Sequence, residues 1–295
     1  MMRIILFLAT NVAIMVVISI VFSVFGIGST LQANGVDLDL NALLVLSAVI
    51  GMTGSVISLA ISKWSAKRAM NVHVIEAPQN QTEQWLVSLV SKQAKKAGIG
   101  MPEVGIFQSP EPNAFATGMS RNNALVAVST GLLQAMSADE VEAVVGHEIS
   151  HVANGDMITM ALMQGVVNTF VYFFASIIGH FVDRVILKNE EGHGIGYFIT
   201  QIIAQIALSF LASMLVMWFS RYREFHADAG GARLAGKEKM IGALRALQRA
   251  HSPEDLPGQL AAFGINGGGA QKLFMSHPPL EERIAALQHK GDGNK

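Results

Sequence analysis

The stretch VVGHEISHVANGD, Val144 to Asp156, contains two histidines four residues apart, with a glutamate directly after the first. On an α-helix, residues i and i+4 lie one turn apart, so His147 and His151 project side by side. Two ring nitrogens placed in this way can bind one Zn²⁺ ion at about 2.0–2.1 Å each. Glu148 is then close enough to take a proton from a water molecule beside the ion without being a ligand. This is the H-E-x-x-H arrangement of metalloproteases.

The residues before the motif independently predict a helix. Ser137-Ala-Asp-Glu140 has the form of a capping box. An apolar face follows at helical spacing, formed by Val141, Val144, Val145 and Val152. The competing interpretation is a helix that merely carries surface histidines.

A catalytic zinc site has three protein ligands and one open position. No third histidine follows at the metzincin spacing; Asp156 lies near that position, but the glycine pattern is missing. The segment SRYREFHADAGGARL, Ser220 to Leu234, supplies a carboxylate on a second predicted helix. We expect Glu224 to bind zinc and Asp228, one turn later, to accept the second N–H of one ligand histidine. His226 is offset from that face, so we expect it to be structural or exposed.

The composition is too apolar for a purely soluble protein of 295 residues. Hydrophobic residues make up 51% and charged residues 15%, and the mean hydropathy is +0.40, whereas a soluble domain has about a quarter charged residues. The net charge of −1 gives no indication of nucleic acid as a partner. Cysteine is absent, which excludes disulfides, thiolate metal ligands and a cysteine nucleophile.

Four segments lack charge over the roughly 20 residues that a bilayer requires. They cover about residues 4–27, 41–62, 157–181 and 197–220. The first is longer than the apolar region of a signal peptide, so we interpret it as an uncleaved anchor. Polar residues interrupt the third and fourth segments, which either span the bilayer or form a hairpin packed against the soluble domain. Of these polar residues, Gln164, Asn168, Gln201 and Gln205 are interpreted as forming interhelical hydrogen bonds.

These segments divide the chain into four parts. We predict a transmembrane hairpin over 1–63, a first part of a protease domain over 64–156, a hydrophobic hairpin over 157–220 and a second part of the protease domain over 221–295. The loop between the first two spans carries acidic residues only, whereas Lys63, Lys67 and Arg68 follow the second span. The positive-inside rule therefore places the protease domain in the cytoplasm.

The soluble parts predict an α+β fold, mainly helical with a small sheet. Strands are expected at 72–75, 104–107 and 124–129. Helices are expected from Asn80 to about Ala97, where Gly98 ends the helix, and over the motif, 221–251 and 279–288. A mobile loop is expected over 252–269, which is rich in Pro and Gly.

Three motifs together resemble a known family. HEISHVANGD, SRYREFHAD and SHPPLEERI, surrounded by four hydrophobic segments, are similar to those of the membrane zinc metallopeptidases that include the CAAX prenyl endopeptidases. The likeness covers nearly the whole chain, including PNAFATG and VAVSTGLL. It implies an endopeptidase with one zinc ion in the bacterial inner membrane, with its active site facing the cytoplasm. The implied partners are the lipid bilayer and polypeptide substrates, namely misfolded or damaged membrane proteins degraded in quality control under stress.

The resemblance also implies roles for residues outside the zinc motif. PNAFATG would be an edge segment beside the active-site helix, to which a peptide substrate adds as a strand through Asn113, Ala114 and Phe115. His277 would assist catalysis at the oxyanion, and Arg283 would contact the substrate. The competing interpretations are a turn with a short strand for PNAFATG and a loop histidine for His277.

Two other functions remain compatible with a zinc site. A membrane scaffold or transporter with a structural zinc ion would need a fourth protein ligand, and it gives Glu148 no role. An inactive family member that acts as a chaperone would not need the intact set of His147, Glu148, His151 and Glu224. The leading hypothesis is therefore a membrane-bound zinc endopeptidase.

Overall fold

The computed structural model describes residues 38–189, 192–250 and 277–289, together with 16, 19–20, 23–24, 26–33 and 36. Most of the expected span at 4–27 and the whole of the expected loop at 252–269 lie outside the described residues. The chain divides into two units, one of residues 1–58 and 159–216 and the other of residues 59–158 and 217–295.

In chain order, the described helices are α1 Ile27–Ala33, α2 Leu40–Ala69, α3 Gln81–Ala97, α4 Thr130–Ala135, α5 Ala138–Asn154, α6 Asp156–Phe181, α7 Ile195–Ala235, α8 Lys237–Ala250 and α9 Leu280–His289. A π-helical turn, Val182–Ile186, follows α6. The strands are β1 His73–Val74, β2 Glu103–Phe107, β3 Ala114–Ser120 and β4 Asn123–Ser129.

Three of the described helices are long and apolar enough to cross a membrane: α2, α6 with the π-helical turn, and α7. Many of their large apolar side chains are exposed, as expected for helices that face lipid; Ile206, for example, is 67% exposed. Where α2 and α6 pack, a Cβ atom on Gly51 would lie 2.6 Å from the backbone nitrogen of Thr169. A small residue at this contact therefore lets the two backbones approach closely.

Three of the four polar residues expected to bond between helices, Gln164, Asn168 and Gln201, are hydrogen-bonded. Gln201 Nε2 donates to Ser176 Oγ at 2.8 Å and so links the two helices. Interhelical bonding is therefore confirmed for Gln201. Gln164 instead donates to Asn168 within α6, at 2.8 Å.

The second unit contains a mixed four-stranded sheet in the order β1-β2-β4-β3. β2 and β4 run parallel, while the β1–β2 and β3–β4 pairs are antiparallel. Residues 124–129 of β4 are all buried, which fits the continuous apolar run of a strand paired on both sides. β3 lies at the edge of the sheet and, within the described part of the chain, has β4 as its one strand partner, so no described strand occupies its other side.

The local signals in the sequence gave the expected elements. Asn80 caps α3 with its side chain, and Gly98 ends this helix in the left-handed conformation. Ser137 and Glu140 form the predicted capping box of α5. The α5 valines lie in the main apolar core with residues of α3, β4 and α8, so the α+β prediction is confirmed.

The expected helix over 221–251 is wrong in one respect, because it is two helices. α7 ends at Ala235 and α8 begins at Lys237. Gly236 lies between them with φ 113°, a left-handed conformation that breaks a helix and that glycine adopts readily. The break allows α8 to pack against α5.

Two adjacent glycines allow α7 to approach α5 closely. A Cβ atom on Gly230 would lie 2.4 Å from Ser150 Oγ, and one on Gly231 would lie 3.0 Å from the backbone nitrogen of His147. Both distances are shorter than ordinary van der Waals contacts. The absence of side chains at these positions therefore brings the carboxylates of α7 within reach of the histidines of α5.

Candidate active site

His147 and His151 point their Nε2 atoms towards one position. The two Nε2 atoms are 3.1 Å apart. Glu224 on α7 completes the group, with Oε2 3.5 Å from His147 Nε2 and Oε1 3.3 Å from His151 Nε2. The structure thus brings together three predicted ligands, and such a group could hold a metal ion.

This group fits zinc in two respects. Tetrahedral bonds of 2.0–2.1 Å require ligand atoms about 3.3 Å apart, and the three separations are close to that value. In addition, both Nδ1 atoms face carboxylates, so the Nε2 lone pairs are available to a cation. Nitrogen and oxygen donors in this number are typical of a catalytic zinc site with one open position.

Asp228 lies behind His147, as the sequence predicts. Its Oδ1 is 2.9 Å from His147 Nδ1. The guanidinium of Arg283 binds both oxygens of Asp228, through Nη2 at 2.6 Å and Nε at 2.8 Å. Arg283 is itself only 6% exposed, and its Nη1 lies 3.5 Å from Glu224 Oε2. The structure therefore places Arg283 beside the carboxylates of α7.

Asp156 contacts His151, and the sequence alone did not predict this contact. Its Oδ2 lies 2.6 Å from His151 Nδ1. The Gly-Asp pair that follows the motif was a signal for it, because a left-handed glycine can end the helix and turn the chain back. Arg223, also missed, lies 3.6 Å from the same Asp156 oxygen.

Burial and hydrogen bonding shift the histidine pKa values in opposite directions. Burial lowers the pKa of His151, but hydrogen bonds to Asp156 and Glu224 outweigh it and raise the pKa to about 10. Burial also lowers the pKa of His147, but its hydrogen bonds to Asp228 and Glu224 outweigh burial and raise this pKa overall. Both histidines therefore bind protons more tightly than a free imidazole does, so protons compete with a metal ion for the ring nitrogens.

Glu148 lies close to both histidines and to Ala116 of the edge strand. Burial raises the pKa of its carboxyl, although His147, His151 and a hydrogen bond from the Ala116 backbone N–H act in the opposite direction. A general base is most effective when its pKa lies nearer to neutrality than that of an ordinary glutamate. The Ala116 contact also shows that the open edge of β3 faces this carboxylate.

The remaining predicted residues lie in two places. Ala114 and Phe115 are in β3, opposite Val128 and Ala127 of β4. Asn113 precedes the strand. Its carbonyl oxygen accepts a hydrogen bond from the Ser129 backbone N–H at 2.8 Å, and its own N–H donates to Ser129 Oγ at 2.9 Å. His277 is largely exposed, and its Nδ1 lies 2.8 Å from Glu224 Oε2.

A family model described as Peptidase family M48 matches residues 80–290, which include every residue of this site. The chain belongs to peptidase family M48. Its membership confirms the predicted metallopeptidase activity and the zinc cofactor. A protein named Protease HtpX from Thioalkalivibrio sulfidiphilus is 67% identical over 291 residues, covering 98% of this chain and 99% of its own. Protease HtpX of Pseudoalteromonas atlantica is 63% identical over 288 residues, with the same coverage.

A solved structure shows that this M48 chain shares its fold with a distant protein. The crystal structure of Ste24p from S. mikatae has a TM-score of 0.59, covers 92% of this chain and 66% of that one, and is 17% identical. The α+β membrane-protein fold is thus confirmed. This M48 peptidase acts on polypeptides and is a membrane protein.

Proposed function

We propose that His147, His151 and Glu224 hold the zinc ion of this M48 peptidase and that Glu148 is its general base. The convergence of three ligand atoms within 3.1–3.5 Å of one another carries the proposal. A structural site would require a fourth ligand atom, and among the described residues the metal-binding group consists of these three. The scaffold or transporter hypothesis therefore lacks a supporting observation.

The reaction follows from the position of each side chain. Zinc, when bound, activates a water molecule and polarises the scissile carbonyl. Glu148 takes the proton of the attacking water and delivers it to the leaving amine. His277, 2.8 Å from Glu224, lies close enough to the ligand group to donate a hydrogen bond to the oxygen that becomes negatively charged. Asp228, held by Arg283, keeps His147 in the tautomer that leaves Nε2 free.

The open edge of β3 supports binding of the substrate as an added strand. Ala114 and Phe115 belong to the edge strand β3. The backbone N–H of the next residue, Ala116, bonds to Glu148, so this edge lies beside the general base. An extended peptide hydrogen-bonded to this edge would present its backbone carbonyl to the zinc group. Asn113, fixed by Ser129, would mark one end of the strand-binding segment.

The candidate membrane helices of this chain indicate the class of substrate. Three helices able to cross a bilayer flank or interrupt the protease sequence, and the resemblance implies quality control. We therefore assign misfolded or damaged membrane proteins as substrates, cleaved on the cytoplasmic side of the bacterial inner membrane. Main-chain recognition at β3 suits such substrates, because it does not depend on one particular side chain.

The proposed function is tested by chelation. Full-length protein purified in detergent is expected to cleave a denatured protein, to lose that activity with a zinc chelator and to recover it when zinc is restored. Cleavage that persists in protein shown by metal analysis to be free of zinc would contradict the proposal. Stoichiometric zinc without any cleavage of denatured or membrane-protein substrates would favour the structural-zinc hypothesis.

The orientation gives a separate prediction. A reporter fused after Gly35 is expected to behave as external, and one fused after Gln134 as cytoplasmic, because the basic residues follow the second span. Activities of an alkaline phosphatase and of a fluorescent reporter at each position measure this. The reverse pattern would reject a cytoplasmic active site while leaving the zinc chemistry intact.

A further inference from the structure

Asp156 reaches His151 only because the helix is interrupted. In a continuous α-helix, residue i+5 is rotated by about 140° from residue i, so their side chains point to different sides. Here α5 ends at Asn154 and is capped by Gly155, which has φ 70° and ψ 33° and donates its backbone N–H to the carbonyl oxygens of His151 and Val152. The chain then starts α6 at Asp156, whose Oδ2 lies 2.6 Å from His151 Nδ1.

We propose that Asp156 is the positioning residue of His151 and that Gly155 is the turn that delivers it. This inference rests on the proposed zinc site. The carboxylate accepts the Nδ1–H of His151, which fixes the ring orientation and directs the Nε2 lone pair towards the metal position. Within HEISHVANGD, the last two residues thereby gain a role of their own, which is to support the second histidine of the ligand pair.

Each zinc histidine then contacts an aspartate, and each aspartate lies beside an arginine, but the two aspartate–arginine contacts differ. Arg283 grips both oxygens of Asp228 at 2.6 and 2.8 Å. Arg223 lies 3.6 Å from one oxygen of Asp156, and its Nε and Nη1 make no hydrogen bond within the described residues. Asp156 is therefore held more by its place at the start of α6 than by its arginine.

Asp156 and Arg223 both lie next to a hydrophobic segment in the sequence. Asp156 is the first residue of a helix long and apolar enough to cross a membrane. Arg223 lies on α7, shortly after that helix leaves its own apolar run. Asp156 and the arginine beside it are thus adjacent in sequence to the hairpin, whereas Asp228 and Arg283 lie further along the chain.

The test measures zinc affinity in the full-length protein by competition with a chromophoric chelator. Asp156→Ala is expected to weaken zinc binding by about 10- to 100-fold, the usual effect of losing a carboxylate that supports a ligand histidine. Asp156→Asn is expected to lose about 10-fold, since its amide oxygen still accepts the N–H but carries no charge. Asp139→Ala, on the exposed first turn of α5 and paired with Lys239, is the control and should bind zinc as the parent does.

Gly155 provides an independent variant that leaves the carboxylate in place. Apart from its neighbours in the chain, no atom of the described residues lies within 4 Å of a Cβ added there, so a substitution acts through the positive φ and not through a clash. Gly155→Ala is expected to weaken zinc binding and Gly155→Asn to do so less, because asparagine adopts the left-handed conformation more readily. This order would not be expected from a purely steric role of Gly155.

The outcomes separate this inference from the zinc site itself. If the parent binds zinc and Glu224→Ala loses it, but both Asp156 variants bind within twofold of the parent, Asp156 is not a positioning residue. If Asp156→Ala is unfolded in thermal melts of the zinc-free protein, the Asp156→Asn affinity decides the question by the same criterion. A parent protein that does not bind zinc overturns the proposed function, and this inference with it.

Discussion

Glu148→Gln is expected to lower peptide-bond cleavage by about 10²–10⁴-fold while zinc remains bound. That range is typical for the loss of a general base. Glutamine has nearly the same shape, and its side-chain oxygen can still accept the N–H of Ala116. It cannot take up a proton from water at neutral pH. Initial cleavage rates on a denatured protein, with zinc content measured on the same preparation, give the result.

The same helix offers a matched control for that change. Glu142 lies on α5 and pairs with Lys239 at 2.5 Å, away from the ligand group. Glu142→Gln removes the same charge from the same helix, so it should cleave at the parental rate. If Glu148→Gln also cleaves at that rate, the general-base role is refuted; if it loses zinc, Glu148 supports the ligand set in addition to or instead of catalysis.

Glu224→Ala is expected to remove zinc and, with it, all measurable cleavage. Two histidines remain, and the loss of a direct ligand should exceed the 10- to 100-fold effect of losing a supporting residue, so the affinity should fall by more than about 100-fold. The variant also leaves Arg283 Nη1 and His277 without the carboxylate that each of them contacts. Metal analysis after dialysis against a weak chelator measures the change.

Two companion variants make the Glu224 result specific. Glu224→His retains a ligand atom and is expected to hold more zinc than Glu224→Ala, since three histidines form a known type of catalytic zinc site. Glu238→Ala removes an exposed carboxylate near the start of α8 and should leave zinc content unchanged. Full zinc stoichiometry in Glu224→Ala would take Glu224 out of the ligand set.

Local rules predicted much of this protein because its decisive signals are short. A capping box and an apolar face predict the start and orientation of α5 without any tertiary contact. Helical periodicity then placed His147 and His151 on one side of that helix. The same rules missed the break at Gly236, since glycine is tolerated within helices and its backbone angle depends on the packing of α8.

Asp156 shows why the support of a metal ligand is harder to predict than the ligand. Its spacing from the histidines resembles that of a metzincin ligand, whereas in the structure Asp156 contacts His151 as a hydrogen-bond acceptor. Its contact depends on the direction in which the chain leaves Gly155. A change of one backbone angle pair moves a side chain from one side of a helix to another, and a linear pattern does not record that change.

The sequence by itself determined the chemistry: two imidazoles spaced for one face of a helix with a glutamate beside them, apolar segments of bilayer length, and the membership of family M48. Those features depend on residue identity and on the fixed geometry of the α-helix. Only the tertiary structure decided which carboxylates meet which imidazoles. Gly230 and Gly231 let α7 lie against α5, and Arg283 comes to Asp228 from a separate helix. Such contacts join residues far apart in the chain, so they depend on how whole elements pack and not on any local repeat.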